Sequence, residues 1–149
     1  MLGPDDQEHV LCSGNRGRRI LVLDDYQQSR TIACLLLRAA GHTCEPVTSV
    51  MEALRSLDSF KPDVLIYECH LRAGDGLGLA RQLRSRAPGL QIIVTSALDE
   101  PEGFAAREPI DAYLTKPFSL IELGHSLGHR IGETSRSRVR LDNKSGPRW

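Results

Sequence analysis

Four short apolar runs in this chain end in residues capable of chemistry. Asp24 and Asp25 follow Ile20–Leu23, and Glu68 closes the run that opens at Val64. Ser96 follows Ile92–Val94 through Thr95, and Lys116 stands just beyond Ala112–Leu114. If these run ends are neighbours, three carboxylates, a hydroxyl and an ammonium share one crevice. Crowded carboxylates repel, and burial worsens the repulsion. A divalent cation relieves it. Mg2+ suits such a donor set, because it takes oxygen ligands in octahedral geometry and keeps several waters. The hydroxyl and the ammonium then suit the remaining oxygens of a phosphoryl group. The residue types together fit Mg2+-assisted phosphoryl chemistry at a carboxylate.

Bringing these groups together requires an alternation of strand and helix. After Ile20–Leu23, the apolar residues Ile32, Leu35, Leu36 and Ala39 fall at helical spacing, which predicts an inward stripe. Gly41 ends that helix. Cys44–Val47 reads as a weaker strand. Ser49 is an N-cap for a second helix carrying Val50, Ala53, Leu54 and Leu57. Val64–Ile66 is a strand buried on both faces, followed by a turn at Gly74–Gly76. A third helix over about 77–86 buries Leu79, Ala80 and Leu83 until Pro88-Gly89 breaks it. After the strand Ile92–Val94, Pro101, Gly103 and Pro109 leave room only for a short helix around Phe104–Arg107. Ala112–Leu114 is the last strand. Ser119 and Glu122 form a capping box for a final helix striped by Leu120, Leu123, Leu127 and Ile131. Gly124, Gly128 and Gly132 run along the edge of that stripe, each costing roughly 1 kcal/mol of helix propensity against Ala. Either the helix is weak or something packs closely along it. Five strand–helix repeats with aliphatic strands predict a parallel sheet covered by helices on both faces. Right-handed crossovers place the polar strand ends on one edge.

In this order and spacing, four motifs resemble the receiver domain of response regulators in two-component signalling. They are ILVLDD at 20–25, PDVLIYECHLRAGDG at 62–76, TSA at 95–97 and DAYLTKPF at 111–118. The resemblance covers about Arg19 to Ile131. It implies a flavodoxin-like, doubly wound, five-stranded parallel sheet of order 2-1-3-4-5, which periodicity alone does not give. It also implies roles. Asp24 and Asp25 match the acidic pair that holds Mg2+, with Asp25 the more direct ligand, and His70 matches a position whose backbone carbonyl also binds the metal. Ser96 matches the hydroxyl that contacts the phosphoryl oxygens, Tyr113 the aromatic switch residue and Lys116 the lysine that pairs with the acceptor. The peptide before Pro117 is cis in the family.

Glu68 departs from the family pattern, because it stands in the phosphoacceptor slot, which is Asp in receivers phosphorylated by a histidine kinase. The glutamate is longer by one carbon–carbon bond, roughly 1.5 Å. A misplacement of about 1 Å can cost on the order of 100-fold in transfer rate. Glu68 could mimic an aspartyl phosphate through Ser96 or Lys116, although it brings one negative charge against about 1.5 to 2. It could instead form a fixed salt bridge with Lys116, or itself accept phosphate slowly. The expectation is an atypical single-domain response regulator. It would be non-enzymatic and cytoplasmic, and would act by contact with a sensor histidine kinase or a downstream protein. Homodimerisation is implied only through the family. The expected contact surface is the last two helices and the strand between them.

Residues 1–18 read as a flexible leader, 19–132 as the receiver-type domain and 133–149 as a basic flexible tail. A nucleic-acid adaptor acting through that Arg-rich tail is the alternative of a different class. The formal net charge of zero argues against broad capture of nucleic acid or anionic membrane. The four cysteines form no CxxC pair, so a zinc knuckle or thioredoxin-like site is not expected. Cys34 and Cys44 read as small core residues, whereas Cys69, beside the site, is a candidate reactive thiol. His125 and His129 have metal-binding spacing but lie roughly opposite the apolar stripe, which reads as solvated surface. Phe104 and Phe118 read as core, and Trp149 as part of the tail.

Overall fold

The computed structural model of the protein describes residues 17–71, 78–104 and 108–128. In chain order the elements are β1 (Arg19–Leu23), α1 (Gln27–Ala39), β2 (Thr43–Val47), α2 (Val50–Ser59), β3 (Val64–Glu68), α3 (Leu79–Arg86), β4 (Gln91–Ser96), β5 (Ala112–Thr115) and α4 (Leu120–Gly128). The five strands form one parallel sheet in the order β2-β1-β3-β4-β5. This is the flavodoxin-like doubly wound arrangement, and its strand order reverses between β1 and β3.

Strand alternation sorts the core into two layers. Leu21, Leu23, Leu65, Tyr67, Ile92 and Val94 point to the face covered by α2 and α3, where they meet Ala53, Leu79, Ala80 and Leu83. Ile20, Val22, Val64, Ile66, Ile93 and Leu114 point to the other face and meet Cys34 and Leu37 of α1 and Leu123 and Leu127 of α4. Because both faces are covered, both strand parities must be apolar, and the sequence accordingly shows nearly unbroken aliphatic runs. Two aspartates set strand starts. Asp63 Oδ2 accepts from Arg19 N at 2.8 Å, and Asp111 Oδ2 accepts from Ile92 N at 2.7 Å.

The helix ends follow local chemistry. Ser49 caps α2, its Oγ accepting from Glu52 N at 3.2 Å. Ser119 does the same for α4, accepting from Glu122 N at 3.1 Å. Gly41, at φ +93°, closes α1. Its N–H donates to Arg38 O and that of His42 to Leu37 O, both at 3.0 Å, which is the paired bonding of a Schellman terminus.

One expectation fails. The stripe Ile32, Leu35, Leu36 and Ala39 does not face the core: Ile32 is 43% exposed and Leu35 60%. Cys34 and Leu37 are buried instead, with Ala33 packed beside them. Residues 32–37 read IACLLL, six apolar residues in succession, so periodicity does not set the helix phase. Polar contacts near the two ends do. Arg30 Nη1 donates to Asp24 O at 2.7 Å, and Arg38 Nη2 donates to Cys44 O at 2.9 Å.

Arg18, assigned to the leader by sequence, is buried, and its Nη1 donates to Leu127 O at 2.7 Å. The rest of the leader apart from Gly17, the Gly74–Gly76 turn, residues 105–107, His129, Ile131, Gly132, the 133–149 tail and Trp149 lie outside the described residues. Phe104 is buried and Phe118 packs against the core, while His125 is exposed. Among the described residues no helix is long and apolar enough to cross a membrane.

Candidate functional site at the carboxyl edge of the sheet

The parallel register carries the expected groups to one edge. Leu23 of β1 lies opposite Tyr67 of β3, so Asp24 and Glu68 emerge side by side. Glu68 pairs with Thr95, so Ser96 is the next residue on the adjoining strand, and Ser96 in turn pairs with Thr115. Lys116 follows Thr115, and its N–H donates to Ser96 O at 2.6 Å. The Lys116–Pro117 peptide is cis, as the resemblance implies.

Lys116 joins two of the carboxylates. Its Nζ lies 2.7 Å from Glu68 Oε2 and 3.0 Å from Asp24 Oδ2. Both carboxylates are nearly buried, while the lysine side chain keeps a quarter of its surface in water. Each acid has a second support: Tyr26 N donates to Asp24 Oδ1 at 2.8 Å and His70 N to Glu68 Oε1 at 3.3 Å. Burial works against the lysine's charge, but bonding and attraction from Glu68 and Asp24 outweigh it and raise its pKa above 10.5. Asp25 is half-exposed on the same turn. His70 is exposed, with its backbone beside Glu68.

Ser96 and Tyr113 look toward another segment. Ser96 is fully buried, and its Oγ accepts from Leu98 N at 3.1 Å. The half-buried Tyr113 donates its hydroxyl to Leu98 O at 3.0 Å, and its ring meets Phe104 edge-on with centroids 5.7 Å apart. Burial raises the Tyr113 pKa, partly opposed by the neighbouring Ser96 hydroxyl. Leu98 was not signalled by the sequence, and neither was Arg30, which holds the Asp24 carbonyl. Backbone acceptors leave no side-chain signature. Cys69 is buried, and burial followed by the charge of Glu68 raises its pKa, which disfavours the thiolate.

The donor chemistry suits a hard cation. Three carboxylates against one ammonium leave a formal surplus of two negative charges, and each carboxylate oxygen can accept more than one partner. Among the described residues, however, no three His, Cys, Asp or Glu side chains are grouped closely enough to hold a metal by themselves. A cation here would depend on one or two carboxylates, a carbonyl and waters, which is the habit of Mg2+.

A doubly wound parallel sheet of this order, with acids and a lysine at the strand ends beside its switch point, belongs to the flavodoxin-like α/β class, whose ligands meet that edge. The response regulator receiver domain model matches residues 20–127, and the chain belongs to that family of two-component signalling proteins. It is 39% identical over 107 residues to the response regulator MprA of Mycobacterium ulcerans (strain Agy99), covering 70% of this chain and 46% of the relative. It is 32% identical over 105 residues to the DNA-binding transcriptional regulator NtrC of Escherichia coli (strain K12), covering 69% and 22%. The chain thus spans less than half the length of these relatives. Among solved structures it resembles the response regulator TrrA of Thermotoga maritima in complex with Mg2+-BeF, with a TM-score of 0.64, 25% identity, and 74% and 96% of the two chains covered. It also resembles the receiver domain of an HD domain-containing protein from Pseudomonas fluorescens Pf-5, with a TM-score of 0.69, 26% identity, and 76% and 93% covered.

Proposed function

We propose that this chain is an atypical receiver in which Glu68 stands at the phosphoacceptor position and holds Lys116 in a standing ion pair. It would work through protein–protein contact, without phosphorylation of an aspartate and without enzymatic activity. The observation that carries this reading is the 2.7 Å contact between Glu68 and Lys116. The longer glutamate reaches the ammonium directly, and Asp24 takes the same ammonium at 3.0 Å. Ser96 and Tyr113 are meanwhile bonded to the backbone of Leu98, not to Glu68. That arrangement favours the fixed salt bridge over phosphate mimicry through Ser96.

Mg2+ would be held by Asp25 and one further carboxylate, Asp24 or Glu68, with the main-chain carbonyl of His70 and waters, and would neutralise charge at that edge. Lys116 anchors the acids, Ser96 and Tyr113 fix the segment after β4, and the surrounding surface meets a sensor histidine kinase or a downstream signalling protein. The resemblance also implies homodimer formation through α4, β5 and the preceding segment.

Acetyl phosphate with Mg2+, followed by intact mass and peptide mapping, tests the reading. The wild-type chain is expected to stay unmodified at Glu68. The Glu68→Asp variant, with its shorter carboxylate, is expected to gain a labile phosphoryl group there. Stable modification of wild-type Glu68 would remove the proposal, and an inert Glu68→Asp variant would show that more than one residue had been lost from the chemistry.

A further inference from the structure

Two cysteines away from the carboxyl edge have no part in the receiver chemistry. Cys34 lies on the inner face of α1 and Cys44 on β2, and both are buried, at 3% and 7% exposure. Their sulfur atoms are 2.7 Å apart. That separation is far shorter than the contact of two non-bonded sulfurs and about 0.65 Å longer than a disulfide bond. Neither cysteine belongs to a metal-type cluster among the described residues. We propose that Cys34 and Cys44 are a redox-active pair that closes into an intramolecular disulfide, clamping α1 to the edge strand β2.

Arg30 and Arg38 stand one helical turn to either side of Cys34 on α1, and their positive charges favour its thiolate. Cys34 is therefore the attacking sulfur and Cys44 the resolving one. The oxidant is a small-molecule disulfide such as oxidised glutathione. Cys34 thiolate attacks one of its sulfurs, the external S–S bond breaks, and one glutathione leaves as thiol. Cys44 then attacks Cys34 Sγ, and the second glutathione leaves with the remaining proton. Two protein thiols lose two electrons and two protons, and one external disulfide becomes two thiols.

Both thiols are buried, so the exchange proceeds through local opening at the sheet edge where β2 lies. Among the described strands β2 pairs only with β1, and it carries Pro46, which cannot donate to a ladder. The clamp bears on the functional edge. Asp24 is held through its backbone by both clamped elements, its carbonyl by Arg30 of α1 and its N–H by Val47 O of β2 at 3.3 Å. Oxidation would thus stiffen the turn that presents Asp24 to Lys116.

The test uses the full chain carrying Cys12→Ser and Cys69→Ser, so that only the pair remains. It is equilibrated in a glutathione redox series, both folded and during refolding from urea, then alkylated under denaturing conditions and weighed. The expected product is a monomer lighter by two hydrogen atoms that takes up no alkylating agent. Its mapped peptide joins residues 34 and 44, it reverts with dithiothreitol, and its melting midpoint lies roughly 5–10 °C above the reduced form. Two free thiols after both treatments, a disulfide between chains, or an oxidised form that melts no higher than the reduced one would each overturn the clamp.

Discussion

At Lys116 two opposing effects act on one ammonium. Burial disfavours its charge, the carboxylates of Glu68 and Asp24 favour it, and the carboxylates prevail, so the folded pKa lies above 10.5. The linkage has a definite sign. Stability from a raised lysine is fully present below the unfolded value and disappears as pH climbs through the folded one. Urea unfolding followed from neutral pH into the alkaline range should therefore show a loss beginning above about 10.5 that the Lys116→Met variant lacks. At neutral pH the same variant leaves Asp24 and Glu68 facing each other without a cation. Removing one partner of a fully buried pair costs about 3–5 kcal/mol. With a quarter of the lysine side chain in water, screening brings the expected loss to about 2 kcal/mol. An unchanged unfolding midpoint at neutral pH would show that the ion pair contributes nothing. Much of this site was legible in the sequence, because Asp24, Glu68, Ser96 and Lys116 each stand at or just past a strand end, and a parallel sheet brings such ends together. Which acid of the Asp24-Asp25 pair meets the lysine was not legible. Adjacent residues leave a strand in opposite directions, and the turn after β1 decides between them.

The elements divide according to how much their sequences constrain them. Strands β1, β3 and β4 were readable because covering both faces demands unbroken aliphatic runs, and no other reading suits runs that short. The end of α1 was readable from Gly41, whose positive φ an L side chain resists. The phase of α1 was not, because six consecutive apolar residues suit several orientations and the choice falls to Arg30 and Arg38. In α4 the glycines posed a choice between a weak helix and a closely packed one. A Cβ built on Gly124 or Gly128 meets no atom within 4 Å, so nothing described in this chain requires the absence of a side chain there. Gly124→Ala should accordingly stabilise the fold by about 1 kcal/mol, read as a higher urea midpoint with unchanged slope. A fall in stability would mean that α4 is packed more tightly than its geometry shows. A gain in stability accompanied by loss of partner binding would locate a close contact on that face.

Across the whole molecule, the contact at Lys116 ties together the ends of strands that are distant in sequence. Asp24 follows β1, Glu68 ends β3 and Lys116 follows β5, while the Lys116 N–H is bonded to the end of β4. The sheet has unequal resources for holding these strands without that tie. β1, β3 and β4 are paired on both sides and buried on both faces, so their apolar contacts alone keep them in place. β5 is the shortest strand, pairs only with β4 among the described strands, and buries only Leu114 fully. Local opening follows such differences, because segments with few buried contacts open well below the global free energy. Loss of the Lys116 charge should therefore act unevenly. In the Lys116→Met variant, native-state hydrogen exchange of the β5 amides is expected to speed up by more than about tenfold, the equivalent of roughly 1.4 kcal/mol of lost local stability. Beyond any shift in the global value, the amides of Leu21, Ile66 and Ile93 should hold their protection. Equal acceleration in β5 and in the central strands would mean that β5 opens only with the whole sheet. The ion pair would then support the fold without serving as the particular fastening of its edge.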